Sequence, residues 1–177
     1  MIDPSKPADY IFITHAHPDH FSLTDIEKVS DNNTVIVCPK KVARKLSGYM
    51  VIEAHPQDTI KLNGLDCEVV PAYSKGFPSH PKGSKNVGYV LSVDGVRIYH
   101  SGDTDAVPEL SALNNIDVAL VPIDGGNLTM STNDAADLIN RMNPRIAIPM
   151  HYMVEKGKAA AFKNLVDKDI DVKIMAD

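Results

Sequence analysis

Three imidazoles and a carboxylate crowd into Thr14-His15-Ala16-His17-Pro18-Asp19-His20, directly behind the apolar run Tyr10-Ile11-Phe12-Ile13. Neutral imidazole nitrogen and carboxylate oxygen are ligands that Zn²⁺ and similar divalent ions accept, at about 2.0–2.2 Å for zinc. Successive side chains of a strand point to opposite faces, so a strand ending abruptly in a loop can aim alternate residues at one ion. His15 and His17 have that spacing. Once the backbone turns at Pro18, Asp19 and His20 can reach a second ion close by. A surface loop that is merely rich in histidine needs no such register of ligand types.

At 177 residues the chain is long enough for one well-buried domain and too short for two ordinary ones, so a single domain over 1–177 is expected. A hydrophobic content of 44% and a charged content of 23% are those of a globular chain. The net charge of −5 argues against a general binder of nucleic acid or of an anionic membrane surface. Cys38 and Cys67 form no disulfide framework and no zinc-ribbon spacing. Each lies in an apolar, strand-like run and reads as a buried free thiol. No signal peptide and no apolar run of membrane-spanning length is read, which predicts a cytoplasmic protein.

Along the chain, Ser22 reads as the N-cap of a helix running to about Ser30, with Asp25 three residues on. Val35–Cys38 reads as a buried strand. Pro39 to Leu46 reads as a helix stopped by Gly48, its Lys40, Lys41, Arg44 and Lys45 forming a solvated face or a site for an anionic substrate. Strands are expected over 50–54, 59–62 and 65–73, the last two joined at Asn63-Gly64, and over 87–93 and 96–101, joined at Asp94-Gly95. The Gly-, Pro- and Lys-rich stretch 74–86 carries His80 and is long enough to be functional or mobile. Its Lys75, Lys82 and Lys85 either meet a phosphate or keep the loop soluble. Further on, a helix is expected over 107–113, a strand over 118–122, a helix capped by Thr132 and ending at Met142, and a strand over 146–149. A helix over 158–166 and a strand over 172–175 close the series. Irregular alternation with two embedded hairpins suits two sheets with helices outside.

Further candidate ligands are His80, Asp103 in His100-Ser101-Gly102-Asp103-Thr104, and His151 in Pro149-Met150-His151-Tyr152. His55, beside Pro56, reads as a surface turn histidine. No P-loop, dinucleotide fingerprint, nucleophile elbow or catalytic-cysteine signal competes with a metal-centred hydrolytic reading.

His-x-His-x-Asp-His behind an apolar strand resembles the metallo-β-lactamase superfamily, and within it an uncharacterised metal-dependent hydrolase branch similar to L-ascorbate-6-phosphate lactonase and to an N-acyl phosphatidylethanolamine phospholipase D. Thr14 to His20, His80 to Gly83, Gly88-Tyr89-Val90, Tyr99 to Asp105, Pro122-Ile123, Thr129-Met130 and Pro149 to Tyr152 carry the resemblance. It implies an α/β fold, an αββα sandwich of two mixed β-sheets with outer helices. It further implies that His15, His17 and His80 hold one ion, that Asp19, His20 and His151 hold the second, and that Asp103 bridges them. Asp19 and Asp103 are then the catalytic candidates. Asp3, His100 and Tyr152 would stand behind the ligands. No general acid is obvious in the sequence; Tyr152 and Lys156, just beyond His151, are candidates, with a packed aromatic and a solvated lysine as the alternative readings. Relatives carry further strands before the aspartate that Asp3 matches, so a shortened N-terminus with an exposed sheet edge, open to self-association as a homo-oligomer, is expected. Asn127-Leu128 stands where that branch more often has an aromatic.

The function these readings imply is a hydrolase with two divalent ions, zinc first and manganese or iron compatible. A metal-bridged hydroxide would cleave an ester, lactone or phosphodiester of a small anionic substrate. Membrane and nucleic-acid partners are not expected. The alternatives are a metal-binding protein without turnover, a metal-dependent nuclease, and iron-based oxidoreduction with a flavodoxin partner.

Overall fold

The structure, a computed structural model, describes residues 6–76, 80–126, 128–152 and 157–175. The chain forms two compact units, Met1–His55 and Pro56–Asp177.

The first unit is a small sheet with two helices. Strands β1 (Tyr10–Phe12), β2 (Val35–Cys38) and β3 (Met50–Glu53) lie in sequence order and pair in parallel, Ile11 opposite Ile36 and Ile36 opposite Val51. This sheet is parallel throughout its described strands, where two mixed sheets were expected. Two short helices, α1 (Leu23–Val29) and α2 (Lys40–Ala43), make the crossovers that parallel pairing requires. Ser22 caps α1 by accepting from the Asp25 amide, and Ile26 turns inward onto Ile13, Ile36, Cys38, Val42 and Leu46. Helix α2 is shorter than the sequence suggests and ends well before Gly48. Its two basic residues, Lys40 and Lys41, are exposed, as are Arg44 and Lys45 just beyond it.

The second unit carries a seven-stranded mixed sheet in the order β10-β9-β8-β7-β6-β5-β4. Strands β4 (Thr59–Leu62), β5 (Leu65–Pro71), β6 (Val87–Val93) and β7 (Val96–His100) form an antiparallel meander. The turn between β6 and β7 is built by Asp94 and Gly95, both with positive φ, as a tight two-residue hairpin demands. Strands β8 (Val118–Pro122), β9 (Ile146–Met150) and β10 (Asp171–Val172) then add in parallel to β7. Pro149 stands in β9 opposite Val121 of β8, beyond Ala147, the last β9 residue paired with the short β10.

Helix α3 (Thr132–Met142) buries Ala135, Leu138, Ile139 and Met142 at helical spacing. Its cap is Ser131, whose hydroxyl accepts from the Asp134 amide, rather than the adjacent Thr132. Helix α4 (Lys158–Leu165) contributes Ala159 and the fully buried Phe162 to the same core. The stretch read as a helix over 107–113 is a 3₁₀ turn, Pro108–Ala112. The last strand is two residues long, extended by one bond from the Lys173 amide to the Ala147 carbonyl. Among the described residues no helix is long and apolar enough to cross a membrane.

Both cysteines are fully buried in strands, Cys38 in β2 and Cys67 in β5. Burial pushes each thiol up to about 12, with Glu53 adding for Cys38 and Glu68 for Cys67. A thiol-specific disulfide reagent at pH 8 is therefore expected to label neither cysteine in the native protein and both after denaturation. Between the ordinary thiol value of 9.0 and about 12 the folded state retains protons that the unfolded state has lost, so stability is expected to fall as pH rises through that interval.

Candidate metal centre

In the second unit the topology itself gathers candidate ligands. Strand β5 runs antiparallel to β6, and β6 antiparallel to β7, so β5 and β7 point the same way as β8 and β9. Their C-terminal ends share one edge of the sheet, where open α/β sheets tend to place their sites. His80 lies on the loop leaving β5, Asp103 follows β7 and His151 follows β9.

These three side chains meet. The Asp103 Oδ2 atom lies 3.5 Å from His151 Nε2 and 3.8 Å from His80 Nε2. Asp103 and His80 are buried, and His151 is half-buried. Two ligands bound to one tetrahedral zinc at the usual bond lengths stand about 3.3–3.6 Å apart. The two separations approximate that spacing, and one carboxylate oxygen is placed between two imidazole nitrogens.

The ligand atoms are aimed by their surroundings. The Gly102 amide donates to His100 Nδ1 at 3.2 Å, folding the turn that carries Asp103. His100 thus acts on the turn as an acceptor. Thr104, fully buried, accepts from the Tyr73 amide at 3.1 Å, and its carbonyl accepts from the Met130 amide at 2.9 Å. The Asp103 turn is thereby tied to both neighbouring loops. His80 Nδ1 stands 3.2 Å from the Leu128 carbonyl oxygen, which can only accept, so Nδ1 is the donor of this pair and Nε2 is the nitrogen turned towards Asp103. His151 has a positive φ, which turns the chain sharply at the end of β9.

The first unit holds the other candidates. After β1, the Ile13 amide still donates to the Val37 carbonyl, and the chain then turns with the His20 and Phe21 amides both donating to the His17 carbonyl. His15 Nε2 and His17 Nδ1 face each other at 3.2 Å, and Asp19 Oδ2 lies 3.3 Å from His20 Nε2. Both pairs have the spacing of shared-ion ligands. Thr14 Oγ1, 3.0 Å from His15 Nδ1, engages the ring nitrogen turned away from His17.

The remaining sequence candidates fall elsewhere. Asp3 and Lys156 lie outside the described residues. Tyr152 packs partly buried against the core of the second unit. His55 is an exposed turn residue, its Nε2 3.0 Å from Glu53 Oε1. Two of the loop lysines have partners within the protein. Lys82 donates to Glu109 at 2.7 Å and lies over the Tyr73 ring, and this bond holds the Glu109 carboxyl below its ordinary value. The Lys75 ammonium donates to the Ala106 carbonyl. The Leu128 carbonyl, a backbone acceptor, has no residue signature in the sequence.

A family model described as the beta-lactamase superfamily domain matches residues 1–151. The chain belongs to that superfamily. A metal-dependent hydrolase of Archaeoglobus fulgidus, named UPF0173, is 33% identical over 97% of this chain and 81% of its own length. A relative of the same name from Thermococcus onnurineus is 35% identical over 95% of this chain and 79% of its own length. A solved structure from Parabacteroides distasonis, described as a candidate metal-dependent hydrolase, matches with a TM-score of 0.84. It is 32% identical, over 97% of this chain and 79% of that one. The superfamily fold, an α/β arrangement of two sheets with helices, is thus that of this chain.

Proposed function

We propose that the protein is a hydrolase with two divalent ions, acting on an ester, lactone or phosphodiester of a small anionic substrate. The observation that carries the reading is the Asp103 carboxylate oxygen set between two imidazole nitrogens at a sheet edge. The names of the relatives support the reaction class.

His15, His17 and His80 would hold one ion, Asp19, His20 and His151 the other, and Asp103 would serve both. This all-nitrogen and oxygen donor set suits zinc and accommodates manganese or iron. When bound, such ions polarise a substrate oxygen and lower the pKa of water towards neutrality. The chain's own residues supply the rest. Asp103 places a carboxylate between two imidazoles, which would offset the charge of bound cations. His80, with Nδ1 engaged by the Leu128 carbonyl, would offer Nε2 to an ion. Anionic substrates are favoured by the exposed Lys40, Lys41, Arg44 and Lys45, the last standing 5.4 Å from the ring of Phe21, which directly follows His20. A phosphate-bearing or carboxylate-bearing substrate would meet positive charge beside the metal loop.

The test is a hydrolysis screen of the zinc-loaded protein and His17→Ala against chromogenic phosphodiesters, aryl esters and small lactones. Cleavage of one class by the wild type, lost in the variant, supports the reading. A folded, metal-loaded protein that cleaves none of them sinks it in favour of metal binding without turnover.

A further inference from the structure

We propose that Ser74 is a positioning residue for the metal centre, its hydroxyl anchoring the Leu128 carbonyl that holds His80 as the Nδ1–H tautomer. This rests on the reading of His80 as a metal ligand.

The bonds form a closed circuit. Ser74 Oγ donates to the Leu128 carbonyl at 2.8 Å, and the same oxygen faces His80 Nδ1 at 3.2 Å. A carbonyl oxygen has two lone pairs and can accept both donors. The Ser74 amide meanwhile donates to the His80 carbonyl at 2.8 Å. Ser74 therefore grips the backbone of His80 and the acceptor of its ring at once. It is itself 6% exposed and offers no strong metal-ligating atom.

The Leu128 carbonyl needs an anchor. Leu128 lies just beyond Gly125 and Gly126, both with positive φ, a backbone with unusual freedom. Its own amide makes a long 3.4 Å bond back to the Gly125 carbonyl. Ser74 is better fixed. Its neighbour Tyr73 is bonded through its amide to Thr104 Oγ1 and through its carbonyl to the Asp105 amide at 2.9 Å. The hydroxyl thus transfers the rigidity of the Asp103 turn to the carbonyl that selects the His80 tautomer. With that carbonyl displaced, the ring loses the acceptor that favours Nδ1–H, and the Nε2–H form, which cannot bind a metal through Nε2, gains population.

The test reads the ring directly. Long-range ¹H–¹⁵N correlation spectra of the metal-free protein at pH 8 would assign the His80 tautomer, and competition with a chromophoric chelator would give zinc affinity. Wild type is expected to show Nδ1–H. Ser74→Ala is expected to show a gain of Nε2–H and zinc binding weakened about tenfold or more, the range for loss of an outer hydrogen-bond partner. Ser74→Thr, which retains the hydroxyl, is expected to restore both. An Nε2–H tautomer in the wild type overturns the proposal whether or not the alanine variant folds. So does a folded Ser74→Ala with unchanged tautomer and affinity. Neither readout needs turnover, so a failure of the hydrolase assignment remains distinguishable from a failure of this one.

Discussion

Asp103→Asn is expected to lose bound metal and hydrolytic activity together while the chain keeps its fold. The asparagine has nearly the aspartate's shape, so the buried turn should still close, held by His100, Thr104 and their partners. What changes is charge and donor chemistry. A neutral amide replaces the carboxylate whose Oδ2 stands within 3.8 Å of two imidazole nitrogens, and it is a much poorer ligand for a hard cation. Losing an outer partner of a metal ligand typically costs about 10–100-fold. Removing the shared oxygen itself should exceed the upper end of that range. Elemental analysis, circular dichroism and initial rates on the same preparations check the claim. His55→Ala is the matched control. That histidine is exposed and pairs with Glu53, and its loss is expected to leave metal and rate unchanged. An Asp103→Asn protein that keeps full metal content would remove the carboxylate from the centre.

The second large effect is structural and falls on Gly88. A Cβ built at this residue of β6 would lie 2.7 Å from the Ser101 carbonyl oxygen and 2.8 Å from that of His100. Both contacts are with backbone, so no side-chain rotation relieves them. Gly88→Ala must push β6 away from the end of β7, or push the His100–Asp103 turn off its place. Overpacking of this kind costs about 1–3 kcal/mol, occasionally more. For a chain of this size that is a Tm lower by roughly 2–12 °C. Because the turn that moves carries Asp103, metal affinity is expected to fall as well. Gly83→Ala, at a position with open space around the absent side chain, is expected to change neither. A Gly88→Ala variant as stable as wild type would show that the close approach is not needed.

What the sequence reveals about this fold follows the range of the interactions involved. The Asp94-Gly95 hairpin is legible because two adjacent residues set its turn, and Val93 duly pairs with Val96. The α1 start is legible for the same reason, with Ser22 and Asp25 one helical turn apart. The start of α3 is less so, since Ser131 and Thr132 are both competent caps and only the backbone conformation selects Ser131. The 3₁₀ form of Pro108–Ala112 is not encoded in a hydrophobic pattern five residues long, which suits either kind of turn.

The site divides in the same way. His15, His17, Asp19 and His20 announce themselves by spacing within one loop. His80, Asp103 and His151 lie on three loops, and their grouping depends on the directions of β5, β7 and β9. The commitment of Lys82 to Glu109, across 27 positions of sequence, has no local signal at all.

Elemental analysis of the purified protein, beside a His15→Ala/His151→Ala double variant, tests whether the chain holds a two-metal centre. About two divalent ions per wild-type chain are expected, as in a two-metal site, with their loss in the variant. A fully folded wild-type protein that retains no divalent metal after incubation with zinc, manganese or iron would contradict that expectation.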